Sequence, residues 1–339
     1  MTMIRFGRVH PLALASLAGL LMLLVASTGP AARANNEWTR WVTGDVHVDQ
    51  AVGRIWSVAD QAFIAPDMLV SDLKAARFAL LGEVHDNSSH HRLQAWLIDR
   101  LGDGDAISIV MEMLSQDQAP ELAAFMASLD RTSDGFADAV TWHATGWPDF
   151  ELYRPIIDTA LRRNAAIYAG LPSSSATRAV SRSGLAALPA GEQADLRLAE
   201  PLSPGDAADL RQEIQEAHCN LLPVEALPNM VAVQRFRDAV LAQSLRGAPK
   251  TGPAILIAGN GHVRSDRGVP AFLSANDGSA IAVILREVEP DLQIGAVSGL
   301  FPPGTPADYV WLTPRIERPD PCEKLRERFG TSAPGGSGG

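Results

Sequence analysis

The sequence predicts an α/β protein, a mostly parallel sheet flanked by helices, with a small inserted helical subdomain. Three observations point there. Four short apolar runs each stop at polar or Gly-rich residues, helical patterns lie between them, and a stretch rich in Ala, Leu, Glu and Arg interrupts the series before its last member. Runs of this kind suit strands buried on both faces, and alternation with helices suits βαβ units.

The elements follow in order. Arg5 and Arg8 precede an apolar stretch over 11–26, and Ala32-Arg33-Ala34 puts small residues where a signal peptidase reads. Residues 1–34 are therefore expected to be a signal peptide, cleaved near Ala34 to leave a periplasmic or secreted chain. The alternative, a membrane anchor, needs about 20 apolar residues. No Cys follows this stretch to carry a lipid.

Phe78-Ala79-Leu80-Leu81 leads into Gly82-Glu83-Val84-His85-Asp86-Asn87. A helix follows, with Leu93, Trp96, Leu97 and Leu101 on one face, Ser88 or Ser89 as cap and Gly102 at its end. Ile107-Ser108-Ile109-Val110 leads into Met111-Glu112-Met113, and Ala166-Ile167-Tyr168-Ala169 into Gly170-Leu171-Pro172. Helices are expected within 116–145 and over 152–164. Residues 173–249 read as a helical insertion, broken by prolines. Ile255-Leu256-Ile257-Ala258 then leads into Gly259-Asn260-Gly261-His262. Further strands are expected over 280–285 and 309–312. The α/β domain thus comprises 38–172 and 250–325, and the Gly- and Ser-rich tail 330–339 is expected to be disordered.

The chain has 29 basic and 39 acidic side chains; loss of 1–34 removes three arginines and leaves a net charge of −13. Such a chain carries no electrostatic footprint for nucleic acid. Cys219 and Cys322 can pair in an oxidising compartment or remain as two buried thiols.

In a parallel sheet the residues after successive strands meet at one edge, where ligands bind. Glu83, His85, Glu112 and His262 are placed to converge there. Two imidazoles and two carboxylates suit a divalent metal, general acid–base work or a hydrogen-bond network. His90 and His91 point about 100° apart on a helix, so one of them is expected to be solvated. There is no Gly-x-Ser-x-Gly elbow, no His-Glu-x-x-His helix, no P-loop and no Cys-x-x-Cys-His.

Ordered segments carry a resemblance. Leu80 to His91, Glu112-Met113, Trp147 to Ile156, His218 to Pro223, Ile257 to Arg264, Tyr309 to Trp311 and Arg318 to Cys322 together resemble the ChaN-like haem-binding uptake proteins. These are related to a wider group that includes Tiki, TraB and erythromycin-esterase-like proteins, some of them metal-dependent hydrolases. The resemblance implies an α/β domain with a small helical domain. It also implies non-covalent haem held between protomers of a homodimer, a role in haem or iron uptake, and possible outer-membrane uptake machinery as partner. The rival reading is a hydrolase using Glu83, His85, Glu112 and His262. Phe150 stands where the family commonly has Tyr, so no phenolate is available there. Tyr153 is the favoured iron ligand, with His218 and the strand-end histidines as alternatives. Arg92, Arg154, Arg264 and Arg267 are the candidates for the haem propionates, and Met230 for covering a haem face.

Overall fold

A computed structural model describes residues 38–43, 50–320, 322–323 and 326. The signal peptide expected over 1–34 and the tail over 330–339 lie outside them. Eight strands form one sheet: β1 (Ile55–Ser57), β2 (Ala62–Ile64), β3 (Phe78–Glu83), β4 (Ser108–Ser115), β5 (Ala166–Leu171), β6 (Ala254–Gly259), β7 (Ala280–Val288) and β8 (Tyr309–Pro314). Their order is β2-β1-β8-β7-β3-β6-β4-β5. The six strands from β8 to β5 run parallel, and β1 pairs antiparallel with both β8 and β2. The α/β class is thus as expected.

The helices are α1 (Pro66–Ala75), α2 (Ser88–Leu101), α3 (Ala119–Ala127), α4 (Ser133–Ala139), α5 (Phe150–Arg162), α6 (Ser174–Ser183), α7 (Ala190–Asp195), α8 (Pro204–Ala217), α9 (Leu227–Gly247), α10 (Asn260–Val263) and α11 (Val297–Leu300). Every residue of β3 and β6 is buried, because a helical layer covers each face of the sheet. Leu93, Leu97 and Leu101 of α2, with Ile156 and Ile157 of α5, pack on the face formed by Leu81, Ile109 and Ile257. On the other face Phe236, Val240 and Leu241 of α9 pack against Leu80, Val110 and Leu256. Each such aliphatic side chain contributes roughly 1.5–3 kcal/mol by leaving water. The helices of 173–249 therefore include a long one, α9, that lies on the sheet itself, while α8 packs on α9.

The cap of α2 differs from expectation. Asn87, not a serine, accepts from the Ser89 and His90 backbone N–H groups, at 2.9 and 3.3 Å. Its amide is fixed in turn by donating to Glu287 at 2.6 Å. Gly102 closes the helix with φ −82°, so its freedom to adopt a left-handed conformation is not used. Cys219 and Cys322 form a disulfide that ties the end of α8 to the segment after β8.

Candidate functional site

The central strands β3, β6 and β4 bring their carboxyl ends side by side. Glu83 ends β3, opposite Gly259 at the end of β6, and Glu112 follows the last β4 residue paired with β6. Three buried acids and two imidazoles meet here in an alternating chain. Glu83 Oε1 accepts from the Tyr153 hydroxyl at 2.6 Å and from His85 Nδ1 at 2.9 Å. His85 Nε2 lies 3.9 Å from Glu112 Oε2, and that oxygen accepts from the Gly259 N–H at 2.7 Å. Glu112 Oε1 lies 3.2 Å from His262 Nε2, whose Nδ1 meets Asp238 of α9 at 2.5 Å. A Cβ on Gly259 would stand 2.9 Å from His85 Nε2, so glycine is what lets the imidazole approach the strand.

His85 is the member that reaches solvent, with 35% of its side chain exposed, while Glu83, Glu112, His262 and Asp238 are buried. Trp147 flanks it edge-on, ring centroids 4.9 Å apart. Burial disfavours charge on each group, yet the pairing overrides it in most. Burial would raise the Glu83 carboxyl, but His91 and His85 hold it well below the usual range. Burial likewise opposes the Glu112 carboxylate, and His262 and His85 bring it down to about 2. Burial would lower His262, but Glu112 and Asp238 raise it to about 10. Asp238 is the exception: burial outweighs His262 and lifts it to about 6. Tyr153 is raised by burial and by the neighbouring Glu83 charge.

His90 and His91 are both fully buried, against the expectation that one meets water. His90 Nδ1 accepts the Val84 N–H at 2.9 Å, so its Nε2 carries the proton and donates to Thr313 Oγ1 at 2.7 Å. Burial keeps it neutral, with its pKa down at about 3. His91 turns the other way, stacking on Tyr153 at 4.1 Å with Nε2 3.4 Å from Glu83. The helical divergence that separates the two rings is what gives each its own buried partner.

The other expected site residues are placed as follows. Tyr153 has no exposed surface, and its hydroxyl donates to Glu83. Arg154 forms ion pairs with Glu151 and Asp134 on the outer side of α5, at 2.6 and 2.7 Å. Arg264 is held by Asp266, Nε to Oδ1 at 3.0 Å. The metal reading of Glu83, His85, Glu112 and His262 finds no support. Their oxygens and nitrogens face one another as pairs, and among the described residues no group of three or more His, Cys, Asp or Glu is placed to hold a metal ion.

His218 and Met230 come together. With Arg267 and Glu213 they line a cavity of about 360 Å³ between α8 and α9, which reaches Asp238 and Gly261 beside the His262 cluster. His218 ends α8, and its Nδ1 meets the Ile214 carbonyl at 2.7 Å. A carbonyl only accepts, so Nδ1 carries the proton and the neutral ring keeps its lone pair on Nε2. Left-handed Cys219 and Asn220 (φ 59° and 58°) turn the chain sharply after it. Arg267 is 4% exposed; one nitrogen pairs with Glu213, while Nη1 is buried without a hydrogen-bond partner. Arg92 also has a buried, unpartnered Nη1, but does not line this cavity.

Asp238 and Gln234 were not anticipated. They stand one turn apart on α9 and both contact His262. The available signal was an acid between apolar residues of a helix, Phe236 and Ala239, where a buried charge needs a partner.

One solved structure shares this architecture, and others show weaker similarity. The structure described as cofacial heme binding to ChaN of Campylobacter jejuni superposes with a TM-score of 0.58 at 19% identity, covering 78% of this chain and 96% of that one. The erythromycin esterase EreC, a mutant in its open conformation, matches at 13% identity and TM-score 0.37 over 81% of this chain and 86% of its own. The type III effector HopBA1 matches at 10% identity and TM-score 0.41 over 74% and 93%. No curated protein matches the chain. A family model covers residues 69–273, and by it the chain belongs to the family described as haem-binding uptake, Tiki superfamily, ChaN.

Proposed function

We propose that this protein binds haem non-covalently outside the cytoplasm and carries it in haem or iron uptake. The observation that carries the reading is the cavity between α8 and α9, where His218 keeps a free Nε2 lone pair beside Met230 and Arg267. Imidazole is an ordinary axial ligand of haem iron, and a hydrogen bond from its other nitrogen to a carbonyl fixes the ring for that task. A methionine side chain adapts to an irregular apolar face. Nη1 of Arg267 is a buried donor with no hydrogen bond, 3.9 Å from Asp266, and is suited to a propionate oxygen. These residues fit the group; bound haem would supply the iron centre for transport, and the protein would hold and shield it.

Two further features support the reading. Leu221 and Val224, directly after His218, are 43% and 70% exposed, which adds apolar surface for the haem face or for a second protomer. The homodimer that would cover them belongs to the proposal, as does docking on outer-membrane uptake machinery. The Cys219–Cys322 disulfide, next to the proposed ligand, suits an oxidising compartment. Among the described residues no helix is long and apolar enough to cross a membrane. Exported protein should begin near Asn35, which intact-mass analysis checks; a retained Met1 would contradict it.

The test of binding is a hemin titration of purified protein and of His218→Ala. A saturable Soret shift that the variant loses is expected. Free-hemin absorbance throughout would remove the reading.

A further inference from the structure

A second cavity, of about 510 Å³, opens on the other side of the strand-end cluster. Its floor is the end of β4, Met113 and Ser115; its walls are Trp147 and the start of α6; Arg237 of α9 reaches it from the direction of the first cavity. Trp147 is the same ring that flanks the exposed His85.

Most polar groups here are already spent. Asp117 Oδ2 accepts from the Ser174 N–H at 2.7 Å. Gln118 bridges Ser115 N–H and the Val140 carbonyl at 2.9 and 2.7 Å. Thr145 donates to the Trp142 carbonyl at 2.7 Å. The groups left over are Arg178, Arg237, Thr141 and Thr177, all lining the cavity. Among the described residues neither arginine forms an ion pair, although Asp117 lies within electrostatic reach of Arg178. Arg237 also has a buried Nε with no hydrogen-bond partner.

Thr141 adds an independent sign. Its φ is +47°, a left-handed conformation that a β-branched residue rarely adopts and that costs stability. Strain of this kind gathers at ligand sites, where the surrounding structure holds it. Here it sits on a hydroxyl-bearing residue of a cavity that also holds two guanidinium groups, each within electrostatic reach of one carboxylate, Asp117 for Arg178 and Asp238 for Arg237, but in ion-pair contact with neither.

We propose that this cavity binds a small organic oxyanion, a carboxylate or phosphate carried on a hydroxylated carbon skeleton, beside His85. The guanidinium fork matches either anionic head group in a bidentate manner. Thr141 and Thr177 offer hydroxyls to the skeleton, and the Trp147 ring offers an apolar wall of the kind that small-molecule sites use. The site is separate from the haem cavity, with Arg237 between them, and stands or falls independently of haem binding.

The test is isothermal titration calorimetry of the full mature protein with citrate, glucose 6-phosphate, inorganic phosphate and glucose. Citrate or glucose 6-phosphate is expected to bind saturably, more tightly than inorganic phosphate, and glucose not at all. Which of the two binds better names the head group. Arg178→Gln should weaken binding roughly ten- to a hundredfold, the loss of one charge-assisted contact. Thr141→Gly should weaken binding while the melting temperature holds or rises, because glycine accepts the left-handed backbone without strain. Far-ultraviolet circular dichroism and the thermal melt serve as the folding control for both variants. No saturable heat with any probe at millimolar concentration overturns the proposal, as does binding that survives both substitutions, or inorganic phosphate binding as tightly as both organic anions.

Discussion

Replacing His262 with Ala tests the electrostatic account of the strand-end chain. The imidazole lies between two buried carboxylates, 3.2 Å from Glu112 and 2.5 Å from Asp238. Its removal leaves both acids buried with one charge partner fewer, which costs about 3–5 kcal/mol for a broken buried pair. The pH dependence is the more specific readout. The folded pKa of His262 is raised from 6.5 to about 10. A raised histidine contributes stability that is complete below its unfolded pKa and is lost as pH rises through the folded one. Wild-type stability should therefore decline between about pH 7 and pH 10, by at most about 1.4 kcal/mol per pH unit for this one proton. Urea denaturation at a series of pH values measures it. The variant should start lower and lose that slope, and Asp238→Asn should shift the slope to lower pH. A His262→Ala loss below about 1 kcal/mol, or an unchanged alkaline slope, would refute the reasoning.

Other expectations follow from single contacts. Reducing the Cys219–Cys322 bond, or Cys219→Ser, opens a loop of 103 residues and should cost up to about 4.7 kcal/mol by the chain-entropy estimate; denaturation with and without reductant measures it, and no difference would mean the bond does not form. Tyr153→Phe removes a buried donor from Glu83 and should cost about 1–3 kcal/mol. It should leave the hemin spectrum unchanged, and a shifted Soret band would return Tyr153 to the iron.

Much of the fold was legible because strands buried on both faces write themselves as unbroken apolar runs, as in β3 and β6. The hairpin β1–β2 was not, since strands of three residues contain no period to detect. The apolar face of α2 could be read from its spacing, but its cap could not. Asn87, Ser88 and Ser89 all have capping side chains, and the choice of Asn87 depends on Glu287, 200 residues away.

The site shows the same division. His85, Glu112 and His262 could be placed together because topology sends strand ends to one edge. Asp238 could not, because its helix address says nothing of the strand loop it meets. The burial of Tyr153 was hidden for a similar reason: nothing in its own segment announces the hydrogen bond to Glu83, 70 residues away. His218 was one of several ligand candidates by sequence. It stands out in the fold because one ring nitrogen is pinned to a carbonyl while the other stays free, beside a cavity that also collects Met230 and Arg267.

The central claim is that His218 presents an iron ligand to non-covalently held haem, and the most direct measurement is an optical titration of hemin into wild type, His218→Ala and Tyr153→Phe. The account predicts a saturable Soret shift in wild type and in Tyr153→Phe, its loss in His218→Ala, and haem extracted intact into acidified organic solvent. A wild-type titration indistinguishable from free hemin, or an unchanged spectrum in His218→Ala, would contradict it.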